Sequence, residues 1–186
     1  MSASDRRHLA ALLAERSAKR GQFTLASGRE SNFYVDARLT TMSPEGLALI
    51  GPAALQAIAD AHWDADSVGG LTLGADPISY AISYASASTA HPVRAFTVRK
   101  EPKGHGTGKL VEGPFRSGDR VVIIEDVVTT GGSALKAAAV IAAGGRVLGI
   151  LALVDREEGG REAIEAAGYS VRSLVRASDV LPLVRD

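Results

Sequence analysis

The chain of 186 residues contains no cysteine, which excludes disulfide scaffolds, thiolate metal sites and cysteine nucleophiles. No apolar run approaches the roughly 18 residues that a membrane-spanning helix needs. No apolar segment follows the charged residues at the N-terminus, so no signal peptide is visible. We therefore expect a cytoplasmic protein with no membrane partner.

The chain also lacks a charge excess, since 21 basic side chains balance 21 acidic ones. Proteins that bind nucleic acid usually carry a basic excess, so we expect no nucleic-acid partner, and any charge specialisation must be local. The length predicts one domain over residues 1–186, with a core large enough to fold alone.

Apolar segments of helix and strand character alternate along the chain, which predicts an α/β fold with a doubly wound, mainly parallel sheet flanked by helices. Pro52 lies inside the second predicted helix and indicates a kink or a break there. Residues 22–36 are predicted to be loop and short strands, and the glycine-rich residues 101–115 a long mobile loop. The predicted helices are 4–20, 43–61, 76–85, 132–143 and 161–167, and the predicted strands are 66–70, 93–99, 120–124, 146–154 and 170–175.

The segment 121–133 places two acids at the end of an apolar strand and a small-residue turn directly after them. Ligands of open α/β sheets bind at the carboxyl ends of strands, and such a turn presents backbone N–H groups to a phosphate. Glu125 and Asp126 suit hydroxyl groups or a metal, because carboxylates repel phosphate. A ribose 5-phosphate satisfies both halves of the segment. The alternative is an ordinary strand-to-helix turn whose serine or threonine only caps the helix.

Two further segments are rich in glycine. Residues 99–109 carry four cations and one acid, and a mobile basic segment can close over a polyanion and neutralise a leaving group. Alone, this segment is better explained as a solvated loop, whereas beside a phosphate-sugar site the binding role is favoured. Residues 69–76 could offer backbone N–H groups to a second phosphate, although ordinary turn chemistry also explains them.

Together these segments resemble the orotate phosphoribosyltransferases, which are type I phosphoribosyltransferases. Residues 121–133 are similar to the superfamily's motif for phosphoribosyl pyrophosphate (PRPP), which does not identify the acceptor base. Residues 23–36 are similar to the family's N-terminal signature, and Asp155-Arg156 to its orotate-binding position. Arg99-Lys100, Lys103 and His105-Gly106 match its catalytic loop. The resemblance implies a type I phosphoribosyltransferase-like fold, in which residues 1–40 form an N-terminal helix and hood.

The resemblance also implies the reaction, in which orotate displaces pyrophosphate from PRPP to give orotidine 5′-monophosphate. Mg²⁺ is the implied cofactor, held mainly by substrate oxygens, with no protein ligand assigned. A homodimer that shares loop 99–109 between its subunits is implied as well. The implied catalytic residues are Lys103, Glu125 and Asp126. The residues implied to bind PRPP are Leu71, Thr72, Arg99, Lys100, Lys103, His105, Glu125, Asp126, Val127, Val128, Thr129, Thr130, Gly131, Gly132 and Ser133. The residues implied to bind orotate are Ala26, Ser27, Gly28, Phe33, Tyr34, Thr129 and Arg156.

The chain departs from the family pattern at two positions. Ala26 and Leu73 stand where many family members have lysine. These changes remove two side-chain contacts to the substrates but leave the backbone donors of both turns. We therefore expect activity to persist and to depend more strongly on loop 99–109. Two other functions stay open at this point: a phosphoribosyltransferase for another base, and a nucleotide-binding regulator of the same fold that contacts RNA.

Overall fold

The computed structural model describes residues 1–24, 30–102 and 109–185. The chain begins with helix α1 (Ala3–Arg16), followed by strands β1 (Ala18–Thr24) and β2 (Glu30–Val35), which pair antiparallel in a two-stranded sheet. Short helix α2 (Arg38–Thr41) and long helix α3 (Pro44–Asp60) follow. Within these described ranges, no helix has the length and apolar character needed to cross a membrane.

Helix α1 ends four residues earlier than the sequence predicts. Ser17 caps it, with its N–H donated to the Leu13 carbonyl at 2.9 Å and its buried hydroxyl 2.7 Å from that of Thr40. The chain turns there because Leu9 and Leu13 are fully buried and hold the helix against the core. Residues 18–24 consequently belong to β1, where the sequence predicted the last turn of a helix followed by loop and short strands.

The sequence predicts a kink or a break at Pro52; helix α3 is continuous through this residue, so the break is wrong. A proline inside a helix removes one backbone hydrogen bond and favours a kink. Here Pro52 is exposed, while Ile50, Ala53 and Ala54 beside it are buried in the core. The packing of these neighbours offsets the missing hydrogen bond and keeps both halves of the helix in register.

A six-stranded sheet forms the centre, in the order β5-β4-β3-β6-β7-β8, with every pair parallel except the antiparallel β4–β5 pair. This arrangement confirms the predicted α/β class. The short strand β5 lies inside the segment predicted to be all loop, and residues 103–108 of that segment lie outside the described residues. The strands are β3 (Ser67–Leu71), β4 (Arg94–Val98), β5 (Val111–Glu112), β6 (Arg120–Val128), β7 (Arg146–Asp155) and β8 (Val171–Arg176).

Helices cover both faces of this sheet. They include α4 (Ala75–Ser86), α5 (Gly132–Ala142), α6 (Gly160–Ala166) and α7 (Ala177–Val180), and a 3-10 turn (Leu181–Leu183) follows. Strand β6 contributes side chains to the hydrophobic core on both faces of the sheet. Val122 and Ile124 pack on the face covered by α1, α3 and α4, whereas Val121 and Ile123 pack on the face covered by α5 and α6. The strand order reverses between β3 and β6, and the carboxyl ends of strands at such a switch point form the usual ligand crevice.

Candidate functional site

The switch point carries the acids that the sequence singles out. Strand β6 extends to Val128, four residues beyond its predicted end, so Glu125 and Asp126 belong to the strand itself. Continued pairing with β7 explains the extension, since Glu125 opposes Ala152 and Val128 opposes Asp155. Both acids line a cleft of about 260 Å³, together with Ser133 at the start of α5.

Glu125 is the buried member of the pair. It is 9% exposed, and among the described residues its Oε2 atom has no hydrogen-bond partner. Burial raises the pKa of the Glu125 carboxyl well above its ordinary value, and the neighbouring Asp126 carboxylate raises it further. Asp126 is partly exposed, and its Oδ1 atom accepts a hydrogen bond from the Val127 N–H at 2.9 Å. A carboxyl group that lines a cleft and has an oxygen without a hydrogen-bond partner is suited to a ligand hydroxyl.

This burial leads to a prediction about stability. Replacing Glu125 by glutamine should raise the melting temperature of the ligand-free protein by about 2–4 °C at pH 8 and leave it unchanged at pH 4. The unfolded carboxyl loses its proton near pH ~4.3, whereas the folded one keeps it to higher pH. Stability of the natural chain therefore falls between those two pKa values as pH rises, by at most about 1.4 kcal/mol per pH unit.

Thermal unfolding of both proteins from pH 4 to pH 8, without ligand and with chelator, measures this difference. Glu15→Gln provides the control, because Glu15 is exposed on α1 and the same change there should give no gain that grows with pH. A Glu125→Gln protein that melts no higher than the natural chain at pH 8 would show that the carboxyl carries no burial penalty.

The turn 129–131 joins β6 to α5 as the motif predicts. Gly131 has φ of 80°, a left-handed conformation that favours glycine, and a side chain there would crowd the Gly160 carbonyl. The turn and the first residues of α5 line a small concavity beside Glu125. Because backbone N–H groups at a helix start have no helical partner, this concavity is suited to a phosphate. The residues lining it after Glu125 are Val127, Val128, Thr129, Thr130, Gly131, Gly132 and Ser133.

The second glycine-rich turn lies in the same cleft. Leu71, Thr72, Leu73 and Gly74 line it, and the peptide bond between Thr72 and Leu73 is cis. Gly74 abuts the Asp126 carboxylate so closely that a Cβ atom would overlap it. Two turns that are about 55 residues apart in sequence therefore meet at one edge of the sheet, because β3 and β6 are neighbours there.

The cleft also contains a charged pair that the sequence analysis did not single out. Arg38 donates from Nε and Nη2 to the two carboxylate oxygens of Asp36 at 2.8 and 2.9 Å. These hydrogen bonds hold the pKa of the Asp36 carboxyl below its ordinary value. Both residues line the cleft, and the nearby Asp126 carboxylate helps to raise the Arg38 pKa. The available signal was their position at the end of the N-terminal signature, of which Asp36 is the last residue.

Of the two aromatic residues predicted to bind orotate, only one lines the cleft. Tyr34 is 40% exposed and lines the cleft, whereas Phe33 is 2% exposed, so Phe33 is not available to stack on a ligand in the cleft. Its ring lies 4.9 Å from the guanidinium carbon of Arg156. Successive strand residues face opposite sides, which explains the division. Ala26, Ser27 and Gly28 lie outside the described residues.

Arg156 follows β7 at the same edge of the sheet but is buried. Its Nη2 atom donates to the Phe33 carbonyl at 2.8 Å and to the Ser31 hydroxyl at 3.0 Å, and it pairs with Glu158 at 2.6 Å. Its Nε atom is buried without a partner among the described residues. A planar guanidinium with one free donor could still take a carboxylate if Glu158 moved aside.

The basic segment is described only at its two ends. Arg99 donates its N–H to the Leu110 carbonyl at 2.8 Å, and its guanidinium lies 3.7 Å from Glu112. Lys100 lines the cleft, and its carbonyl accepts a hydrogen bond from Lys136 at 2.9 Å. Lys103 and His105 lie outside the described residues, so their predicted contacts with PRPP stay predictions.

Comparison with known proteins assigns the family. No protein-family model matches the chain. It is 48% identical to the orotate phosphoribosyltransferase of Aquifex aeolicus, covering 95% of this chain and 98% of the relative, and 47% identical to that of Rhodopseudomonas palustris, covering 96% and 97%. The crystal structure of Mycobacterium tuberculosis orotate phosphoribosyltransferase in complex with PRPP superimposes with a TM-score of 0.78 at 44% identity, covering 95% of this chain and 98% of that one. Near-complete coverage at this identity, on a fold that places the acid pair and both glycine turns at one switch point, shows that the chain belongs to the orotate phosphoribosyltransferase family.

Proposed function

We propose that this cleft transfers the 5-phosphoribosyl group from PRPP to orotate, giving orotidine 5′-monophosphate and pyrophosphate. The observation that carries the proposal is the juxtaposition at the end of β6. Glu125 and Asp126 line the cleft within a few residues of the glycine turn that opens α5. A ribose 5-phosphate carries ring hydroxyls and a phosphate on one small molecule, so it needs both kinds of partner side by side. Acceptors for a diol and donors for a phosphate are therefore offered in the order that the substrate needs.

The acid pair also suits the charge that develops during the reaction. Departure of pyrophosphate leaves positive charge at the anomeric carbon of the ribose, and a negative field beneath the sugar stabilises that charge. Asp126 and Glu125 hold the ribose hydroxyls in this proposal, while Thr129 to Ser133 bind the 5′-phosphate. Burial and the neighbouring Asp126 raise the pKa of Glu125 and so disfavour its ionised form in the empty cleft. Positive charge on the sugar would act in the opposite direction and favour the carboxylate.

The leaving group is proposed to lie at the end of the cleft that the turn 71–74 and Lys100 line, next to Asp126. Backbone N–H groups of the turn and the cations Arg99, Lys100, Lys103 and His105 would neutralise pyrophosphate. Leu73 is 50% exposed and supplies no charge, so this chain relies on the turn's backbone and the basic segment.

Mg²⁺ is proposed as the metal cofactor. The donors that line this cleft are carboxylate and hydroxyl oxygens, the ligands that Mg²⁺ prefers, so the site fits this ion. No group of three acidic, histidine or cysteine side chains able to hold a metal occurs among the described residues. In this proposal the oxygens of PRPP hold most of the ion's coordination sphere, as is usual for this hard cation. When bound, the ion supplies positive charge that offsets the diphosphate.

Orotate is proposed to bind between Tyr34 and the residues after β7, with Arg156 on its carboxylate. Replacing Arg156 by lysine should raise the KM for orotate by about 10-fold or more, because an ammonium group cannot make the planar two-bond contact of a guanidinium. The KM for PRPP should change less than about twofold, since the acid pair and turns are untouched. Steady-state kinetics with each substrate varied in turn measures both values.

Arg161→Lys is the matched control for this change. Arg161 donates to Asp155 at 2.9 Å and to the Val171 carbonyl at 3.1 Å, so it is a structural arginine near the end of the same strand. The Arg161→Lys change should lower the stability of the protein without selectively raising the KM for orotate. Equal effects of the two variants on the KM for orotate would remove Arg156 from the acceptor site.

Orotate-dependent consumption of PRPP is the experiment that tests the proposed function. Formation of orotidine 5′-monophosphate with orotate, and no product with uracil, adenine or guanine, is the expected result. Turnover with another base would identify a different phosphoribosyltransferase. Nucleotide binding without turnover of any base would identify a regulator.

We further propose a single domain over residues 1–186 that acts in the cytoplasm as a homodimer and shares loop 99–109 between subunits. Exposed apolar side chains on α3 and α4 support self-association, since Leu47, Tyr80 and Tyr84 are 36%, 54% and 86% exposed around one groove. Contiguous apolar surface of this kind is typical of protein interfaces. The groove lies on α4, whose first turn follows the cleft turn 71–74, so a second copy seated there would be close to the active site.

A further inference from the structure

Asp76 is a buried carboxylate next to the cleft to which neither the motif nor the proposed mechanism gives a role. It is 8% exposed in the first turn of α4, where the helix dipole favours a negative charge. The Thr72 hydroxyl donates to its Oδ2 atom at 2.7 Å, and the Thr97 hydroxyl donates to its Oδ1 atom at 2.9 Å. One carboxylate therefore joins the cleft turn to the neighbouring strand β4.

The turn is tied to β4 a second time through its backbone. The Thr72 N–H donates to the Val98 carbonyl at 2.8 Å, one residue beyond Thr97. The Thr97 hydroxyl is also 3.0 Å from the Tyr80 hydroxyl on α4, which donates to it because the Thr97 proton is directed at Asp76. Asp76 thus stands at the centre of a chain of hydrogen bonds that runs from an exposed tyrosine to the cleft.

The position of this turn matters for two reasons on the cleft side. Gly74 lies against the Asp126 carboxylate, so any shift of the turn would move Gly74 toward or away from the proposed ribose site. Leu73 offers no cation, and Thr72 already donates its N–H to Val98 and its hydroxyl to Asp76. The turn therefore offers an anion the backbone N–H groups of Leu73 and Gly74. Fixed backbone donors bind an anion well only when their direction is set beforehand.

We propose that Asp76 is a positioning residue for the pyrophosphate end of the cleft, which it serves by locking Thr72 and the turn 71–74 against β4. The proposal rests on the proposed function, because it assigns that end of the cleft to the diphosphate of PRPP. Asp76 itself stays behind the turn, so it acts on the substrate through Thr72 and contributes no direct contact.

Asp76→Asn tests this role. An asparagine side chain has one acceptor oxygen where the aspartate has two, so only one of the two hydroxyls can still donate to it. The other hydroxyl must turn to accept from the amide, and both contacts lose the carboxylate charge. We expect binding of PRPP and of pyrophosphate, measured by calorimetry, to weaken about 10-fold, the effect of losing roughly one charge-assisted hydrogen bond. The KM for orotate should change less than about twofold, because the acceptor site is on the other side of β6.

Two variants at the turn keep the test independent of whether Asp76→Asn folds. Thr72→Val removes the hydroxyl with little change of volume and should weaken PRPP binding to a similar degree, while Thr72→Ser should restore most of the affinity. Ser79→Ala is the control, since Ser79 is fully buried on the same helix and donates only to the Ala75 carbonyl at 2.8 Å. It should lower the melting temperature and leave PRPP binding unchanged.

Unchanged PRPP and pyrophosphate binding in both Asp76→Asn and Thr72→Val would overturn the positioning role. Equal weakening of PRPP and orotate would also overturn it, because that pattern indicates a general loss of structure. The readout needs no acceptor base, so it separates this inference from the proposed function. Tight PRPP binding that depends on Asp76, in a chain that ignores orotate, would support the role of Asp76 and overturn only the choice of orotate.

Discussion

Replacing Lys103 by alanine should lower kcat by about 10²–10³, the loss that accompanies removal of one transition-state donor. The reason is the composition of the leaving-group end of the cleft. Leu73 supplies no charge there, and Arg99 is already close to Glu112 at 3.7 Å. A lysine from the basic segment is therefore expected to carry much of the charge neutralisation as pyrophosphate departs. Because this charge develops mainly in the transition state, the KM for PRPP should change less than kcat.

Lys109→Ala is the matched control, since it removes the same charge from the same basic segment at an exposed, described position. It should reduce kcat by less than about threefold, because exposed charges that contact no substrate are largely screened. Near-normal kcat in the Lys103→Ala protein, or an equal loss in both proteins, would show that Lys103 has no specific part in the reaction.

The same variant tests the proposed sharing of loop 99–109. Mixing Lys103→Ala subunits with Asp126→Asn subunits would place both defects in one site of a heterodimer and neither defect in the other, provided that the loop acts in the partner's cleft. Activity should then recover toward one functional site per dimer. If exchange is verified by mass and activity does not recover, each loop serves its own subunit.

Asp126→Asn should reduce kcat/KM for PRPP by about 10²–10³, through loss of a charged acceptor for the ribose diol and of the negative field under the sugar. The amide is close in size to the carboxylate, so it should fit beside Gly74 without displacing the turn. The KM for orotate should change far less. Separate titration of the two substrates, with melting temperature as a check on folding, measures the effect.

Asp119→Asn separates a role in the cleft from general damage to β6. Asp119 directly precedes this strand at its other end, is 6% exposed, and pairs with Arg94 at 2.6 Å. Its loss should destabilise the protein, because it removes the charged partner of the partly buried Arg94, and should leave substrate KM values unchanged. Asp126→Asn and Asp119→Asn proteins with the same kinetic profile would rule out Asp126 as a ribose ligand.

Sequence patterns predicted the elements that depend on local chemistry. The apolar run of β6, the cap and proline that begin α3, and the small-residue turn before α5 each determine a neighbouring element, and the relatives confirm the family that they indicated. The end of α1, the continuity of α3 through Pro52 and the extension of β6 were missed. Those three depend on contacts with residues far away in sequence, which override local propensity.

The candidate site divides in the same way. The sequence alone identified the acids and glycine turns, because a phosphate-binding turn needs its small residues to be consecutive. Only the tertiary structure showed that Tyr34 faces the cleft while Phe33 is buried beneath Arg156. The fork of Arg38 on Asp36, and the carboxylate of Asp76 that joins two elements, likewise required the folded chain.

A chain without cysteine and without net charge thus determined by its own order of residues which family it belongs to and which segments carry the chemistry. The tertiary structure decided which side chains of those segments meet, how deeply Glu125 is buried and which residues hold the turns in place. The physical reason is that a motif records short-range requirements of backbone and charge, whereas burial, pKa and orientation arise from elements that meet only when the sheet has formed.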